Sequence, residues 1–325
     1  MVDSAPDSAT TPSRTHRALR LSLAMVVLPL FAGVAVEVVR SGGLVLPAIS
    51  LYFYTPAQGL FVGALVAASL ALVALAGRDL ETVFLDVAAV FAPLIALVPT
   101  SITRAQWESI TGDTEIDMGP CAGDSSCIPT RVMDAVHTGV VTYTIVVICV
   151  VMVALWVRRG TFRTMWRTRA DAAPGRAWTL WSALTAPAVA VVVAVVLNLA
   201  AFVPPLSENF PFPPWLPIGV HFSATILFFA AFSAVPVINV ARYLRSPREA
   251  RAARMTRRYA VIYLFVPVLM ALDLVALVVV VSTDRSSPGV LVCEAAALAL
   301  FAVFWVAQTI QWWREDDPPH LAPRR

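Results

Sequence analysis

The chain has 325 residues, of which 58% are hydrophobic and 14% charged. A soluble domain carries about 25% charged residues, so this composition excludes disordered, collagen-like and disulfide-rich secreted chains and argues against a water-soluble enzyme. The net charge is +3, all 24 basic residues are arginine, and mean hydropathy is +0.76, which together describe a polytopic membrane protein.

In chain order, residues 1–18 read as a polar, disordered cytoplasmic tail that ends in Arg14 and Arg17. A single transmembrane domain follows over 19–313, and a short cytoplasmic tail over 314–325. A span needs about 20 apolar residues to cross about 30 Å of hydrocarbon. That rule predicts an all-α bundle of about eight helices at 21–40, 57–77, 82–102, 133–157, 178–203, 218–241, 259–281 and 289–312. The first has no cleavage site after it and reads as an uncleaved span. The third contains Asp86, Pro93 and Pro99 and fits the rule least well.

Arginine placement tests this topology. With both termini inside, the outer segments hold only Arg40, Arg104, Arg131 and Arg285, and all other arginines fall inside. Omitting one span would invert every later loop and destroy the asymmetry. The expected location is therefore a cell membrane, as a multi-pass protein in contact with the lipid bilayer. Arginines recur from Arg242 to Arg258, a basic stripe suited to anionic lipids of the inner leaflet. A nucleic-acid partner is not expected, and the topology signal alone also explains the stripe.

Between the third and fourth spans lie Cys121 and Cys127, separated by Ala-Gly-Asp-Ser-Ser. An outer location predicts a disulfide, with two free thiols as the alternative. Residues 204–217 hold many prolines and predict a stiff, extended segment. Cys149 and Cys293 fall inside spans, where small buried hydrophobes are expected.

The even-numbered spans start on the outer side, each with a polar group: Gln58, His137, His221 and Glu294. Asp134 precedes His137 by one turn, and Glu37 ends the first span. Convergence of these groups would make an outward-facing pocket for a small molecule, ion or lipid headgroup. The alternative is a set of interfacial polar residues wetted at helix ends. Asp273 lies mid-span, where a carboxylate must face a polar partner or be neutral. It reads as a proton or ion relay, or as packing glue between helices, with Asn198 as a possible partner.

Phosphate-binding glycine loops, His-Glu-x-x-His and Gly-x-Ser-x-Gly are missing from the sequence. No cofactor is expected. A zinc ion on His137, His221 and Glu294 is the alternative, and would make the chain a metal-dependent hydrolase at the outer leaflet. Membrane-embedded zinc hydrolases of the alkaline-ceramidase and adiponectin-receptor type use three histidines. Here His16 and His320 lie in the tails, and only Asp273 and Ser223 imitate the rest of that set. A structural role in the cell envelope is the third reading.

Several stretches carry a family resemblance. Pro47-Ala48-Ile49-Ser50-Leu51-Tyr52-Phe53-Tyr54-Thr55, followed by Phe61-Val62-Gly63, resembles the signature of a family of uncharacterised bacterial multi-spanning membrane proteins. Ala96-Leu97-Val98-Pro99-Thr100 is similar to the end of that family's third helix. His221 with Leu227-Phe228-Phe229, and Glu294 with Trp305, resemble two later helices. Gln58-Gly59-Leu60 replaces the family's Arg-Asp pair, and Ala224 replaces a serine. The resemblance implies no activity. It singles out Ser50, Tyr52, Tyr54, His221 and Glu294 as candidate ligand-binding residues, all expected on the outer side.

Overall fold

A computed structural model describes residues 11–75, 80–115, 117–118, 126–167, 175–215, 218–245, 257–284, 287–311 and 313. Among these residues there is no strand, only an isolated antiparallel bridge between Ile102 and Cys127. The helices are α1 (Thr11–Met25), α2 (Val27–Arg40), α3 (Gln58–Ala74), α4 (Leu80–Leu97) and α5 (Arg104–Thr111). They continue as α6 (Thr130–Arg167), α7 (Gly175–Phe202), α8 (Gly219–Arg245), α9 (Arg257–Thr283) and α10 (Pro288–Gln311).

The protein is an all-α helix bundle of the membrane-spanning kind. Among the described residues seven segments are long and apolar enough to cross a membrane, with α1 and α2 forming one of them over Arg17–Arg40. The remaining expected span is α3, with 17 residues. At 1.5 Å per residue it reaches about 25 Å, short of the usual hydrocarbon thickness.

Proline explains the local irregularities. Pro29 has no N–H to offer the Met25 carbonyl, and the first span breaks into α1 and α2 at Val26. Its helix starts at Thr11, inside the stretch expected to be a disordered tail. Pro93 leaves the Ala89 carbonyl without its helical donor, and the Ser69 hydroxyl of α3 donates to it at 2.8 Å. The doubtful third span is thus a true helix, and a well-buried one. It ends at Leu97 because Pro99 disfavours helical backbone at Val98.

Packing closes a ring. The first span touches α3, α3 touches α4, α4 touches α8, α8 touches α9, α9 touches α10, and α10 returns to α1. The pair α6 and α7 packs outside this ring on α4. Inside it, Phe228 and Phe232 of α8 meet Phe301, Phe304 and Trp305 of α10, with ring centroids 4.8–6.4 Å apart. This aromatic plug is buried between α8 and α10.

The two ends of the bundle differ. At one end the Arg242 guanidinium pairs with buried Glu81 at 2.5 Å. At the same end Tyr263 donates to Gln311, and Arg17 lies over the Trp313 ring at 6.0 Å. The start of α1 and the end of α10 therefore meet. At the other end Leu291 N–H donates to the Pro47 carbonyl at 2.8 Å, and Tyr54 donates to the Thr100 carbonyl at 2.7 Å.

Four expectations are corrected. The described part of the proline-rich stretch, residues 204–215, is folded into turns and a short 3-10 helix, Ser207–Asn209, instead of running extended. Its amides turn back onto nearby carbonyls: Leu206 and Ser207 both donate to Val203, just before the stretch, and Phe210 donates to Ser207. The loop after α4 contains an unforeseen helix, α5, whose start is a capping box of Thr103 and Gln106. Cys149 is exposed, because it lies on the outward face of peripheral α6 with Ile145, Ile148 and Met152. Asn198 is not a partner of Asp273. It donates to Thr144 at 2.6 Å, since α7 packs on α6 and not on α9.

Candidate functional site

The ring encloses a cavity on the side of the aromatic plug away from Arg242. Its empty volume, open side included, is about 690 Å³, of which about 60 Å³ admits the centre of a water-sized sphere. The walls are apolar, supplied by Val26, Ile49, α2 to α4 and α8 to α10, and Phe228 and Phe301 form part of its floor. Its polar groups are Ser50, His221, Thr225 and Glu294, all buried.

Ser50 arrives on a 3-10 turn, Ile49–Tyr54, between α2 and α3. Thr55 ends this turn, donating to the Tyr52 carbonyl and accepting from the Ala57 amide, so the backbone runs on directly into α3. The Leu291-to-Pro47 hydrogen bond clamps the turn to the start of α10, one helical turn from Glu294. The carboxylate then receives two donors from Ser50: the amide on Oε2 at 3.1 Å and the hydroxyl on Oε1 at 2.8 Å. The Ile49 amide also faces it.

His221 is placed by the proline at the end of α4. Pro99 cannot donate to the Ile95 carbonyl, and the helix stops before anything can donate to Val98. His221 Nδ1 lies 2.8 Å from the Val98 oxygen, with the Ile95 carbonyl beside it. A carbonyl only accepts, so Nδ1 carries the proton and Nε2 is left as an acceptor. Thr225, one turn along α8, donates its hydroxyl to the His221 carbonyl at 3.0 Å.

The other sequence candidates lie elsewhere. Tyr52 is buried with its phenol oxygen accepting from the Leu46 amide at 3.3 Å. It faces a separate polar cavity lined by Glu37, Arg40, Ser41 and Thr55. Glu37 is engaged there by a two-pronged pair with Arg40, at 3.0 and 2.6 Å. Tyr54 is held by Thr100 and stacks edge-on against Trp107 of α5, with centroids 6.0 Å apart. Burial raises both phenols above the ordinary tyrosine range, so they act as neutral groups.

His137 does not join His221. Its ring rests against Phe202 and Phe210, at 5.1 and 6.3 Å, outside the cavity lining. The reason is its helix, α6, which stands outside the ring. Gln58 is exposed. Among the described residues no three His, Cys, Asp or Glu side chains cluster as a metal site, so the weak metal set of His137, His221 and Glu294 is not assembled. Asp273 hydrogen-bonds with Cys293 of α10, and its Oδ2 is buried without a partner among the described residues. Cys127 is disulfide-bonded, and Cys121 lies outside the described residues.

Sequence reasoning missed Thr225 and the Val98 and Ile95 carbonyls. The signals were present: Thr225 is four residues after His221, and a proline at the end of a span marks free carbonyls upstream. No family model, curated protein or solved structure matches this chain, and the residue geometry carries the functional reading.

Proposed function

We propose that this integral membrane protein binds an amphiphilic small molecule or lipid in the ring cavity. The hydrocarbon part would lie along the apolar walls, with the polar end at Ser50, His221 and Glu294. One observation carries this reading: an interior cavity that is apolar except for four buried polar groups, with Ser50 held on Glu294 and His221 held on the Val98 carbonyl. Pockets with apolar walls and a few placed polar groups are the usual form of small-molecule sites. The aromatic plug below favours binding or sensing over passage straight through the bundle. By the arginine asymmetry, the polar end would face the outer side of a bacterial plasma membrane, with both termini cytoplasmic. The family resemblance singles out three of the same residues.

The test is native mass spectrometry of detergent-purified protein exposed to a lipid extract. The parent is expected to retain one amphiphile after its annular lipid is stripped. Ala64→Leu, which fills the cavity, and Glu294→Ala are expected to lose it while keeping the parent's helical content. Equal retention by the folded Ala64→Leu variant would place the amphiphile outside the cavity and sink the proposal.

A further inference from the structure

The hydrogen-bonding inventory at the polar end of the cavity is one-sided. The side-chain donors there are the His221 Nδ1–H and the hydroxyls of Ser50 and Thr225, and each is already engaged. His221 donates to Val98, Ser50 donates its hydroxyl and its amide to Glu294, and Thr225 donates to the His221 carbonyl. With Glu294 ionised, what remains are acceptors: the His221 Nε2 lone pair, the unused lone pairs of the Glu294 carboxylate, and the hydroxyl oxygens of Ser50 and Thr225.

The charge inventory is one-sided too. Among the described residues no cationic side chain pairs with Glu294. Arg40 is engaged with Glu37, and Arg242 with Glu81 at the opposite end. A carboxyl enclosed by apolar walls is either neutral or balanced by an opposite charge, and among the described residues no cationic side chain supplies one at that point.

We infer that the ligand's polar end is a hydrogen-bond donor carrying positive charge: a hydrocarbon-tailed ammonium compound, and not a fatty acid or a lipid phosphate. Its N–H groups bond to Glu294, His221 Nε2 and Thr225, and its charge balances the carboxylate. An anionic head would meet acceptors and, at an ionised Glu294, a like charge. This inference rests on the proposed cavity function and narrows it to one class of ligand.

The experiment uses full-length protein in nanodiscs of zwitterionic lipid and four probes with the same dodecyl tail: dodecylamine, dodecanol, laurate and dodecyl phosphate. Specific binding is the affinity of the parent minus that of the cavity-filled Ala64→Leu variant, which removes partition into the lipid. The expected order is dodecylamine first, at least tenfold tighter than laurate or dodecyl phosphate, with dodecanol between. Glu294→Gln, which swaps a carboxylate for an amide bearing donors, is expected to cut dodecylamine affinity at least tenfold and to raise laurate binding. Thr225→Val, a benign change in a helix, is expected to weaken dodecylamine several-fold and serves if Glu294→Gln does not fold. Laurate or dodecyl phosphate binding as tightly as dodecylamine would overturn the inference and leave the cavity function standing. So would specific binding indifferent to the head group. Failure of all four probes to bind specifically would overturn both.

Discussion

His221 shows how a single residue is placed by a neighbour's chemistry. Its proton sits on Nδ1 because two carbonyls at the end of α4 lack backbone donors, and they lack them because residue 99 is proline. His221→Phe keeps the ring's shape but removes the donor, leaving Val98 unsatisfied in the interior. We expect a loss of about 1–3 kcal/mol, read as a lower thermal midpoint. A midpoint unchanged from the parent would mean that the hydrogen bond contributes nothing. At the other end, Arg242→Ala removes the partner of buried Glu81. The full cost of breaking a buried pair is about 3–5 kcal/mol. Arg242 is 41% exposed, so solvent screening reduces the expectation to about 1–2 kcal/mol. Glu81→Gln with Arg242→Ala should recover part of that loss in a double-mutant cycle, and strict additivity would count against coupling.

At the scale of elements, each departure from a plain helix has an identifiable residue behind it. Pro29 breaks the first span, Pro93 hands a carbonyl to Ser69, and Pro99 ends α4. These prolines were visible in the sequence, but the hydroxyls and imidazole that answer them come from other helices. Gly219 opens α8 two residues before His221, with a φ of +85°. A Cβ built there would lie 2.6 Å from the Phe212 ring. Gly219→Ala should therefore cost about 1–3 kcal/mol and loosen the start of α8. Hydrogen exchange over residues 219–225 would report it, and unchanged protection would refute the strain. The capping box of α5 makes a contrasting case. Thr103→Ala removes one hydrogen bond at the surface and should cost about 1 kcal/mol, with faster exchange confined to residues 104–111. Spread of that effect to α8 would show that α5 supports the cavity.

For the whole molecule, ring closure is the organising fact. Six neighbouring contacts return α10 to α1, and the cavity and the aromatic plug occupy the enclosed space. Closure also sets the parity of the chain, because the start of α1 and the end of α10 share one end. Reporter fusions should therefore place the N- and C-termini in the same compartment. Arginine retention, acting as in other membrane proteins, predicts that this compartment is the cytoplasm. A fluorescent protein that folds only there should be bright at both ends, and a bright signal at one end alone would rule out the even number of crossings.

Hydrophobic run length, arginine placement and proline positions are local properties, and the sequence by itself determined the helical class, the approximate spans and most of their ends from them. Polar side chains near the ends of apolar runs stand out against lipid, which singled out His221 and Glu294, while Ser50 was implied by the family resemblance alone. Which of the polar groups meet was decided only by the tertiary structure. Hydrophobicity reports how deep a residue lies, but not which way its helix is turned or which neighbour it packs against. His137 and His221 were expected at one depth, yet α6 stands outside the ring and α8 within it. Asp273 found Cys293 instead of Asn198 for the same reason: partner choice follows from how side chains of different helices interlock, and no single helix carries that information.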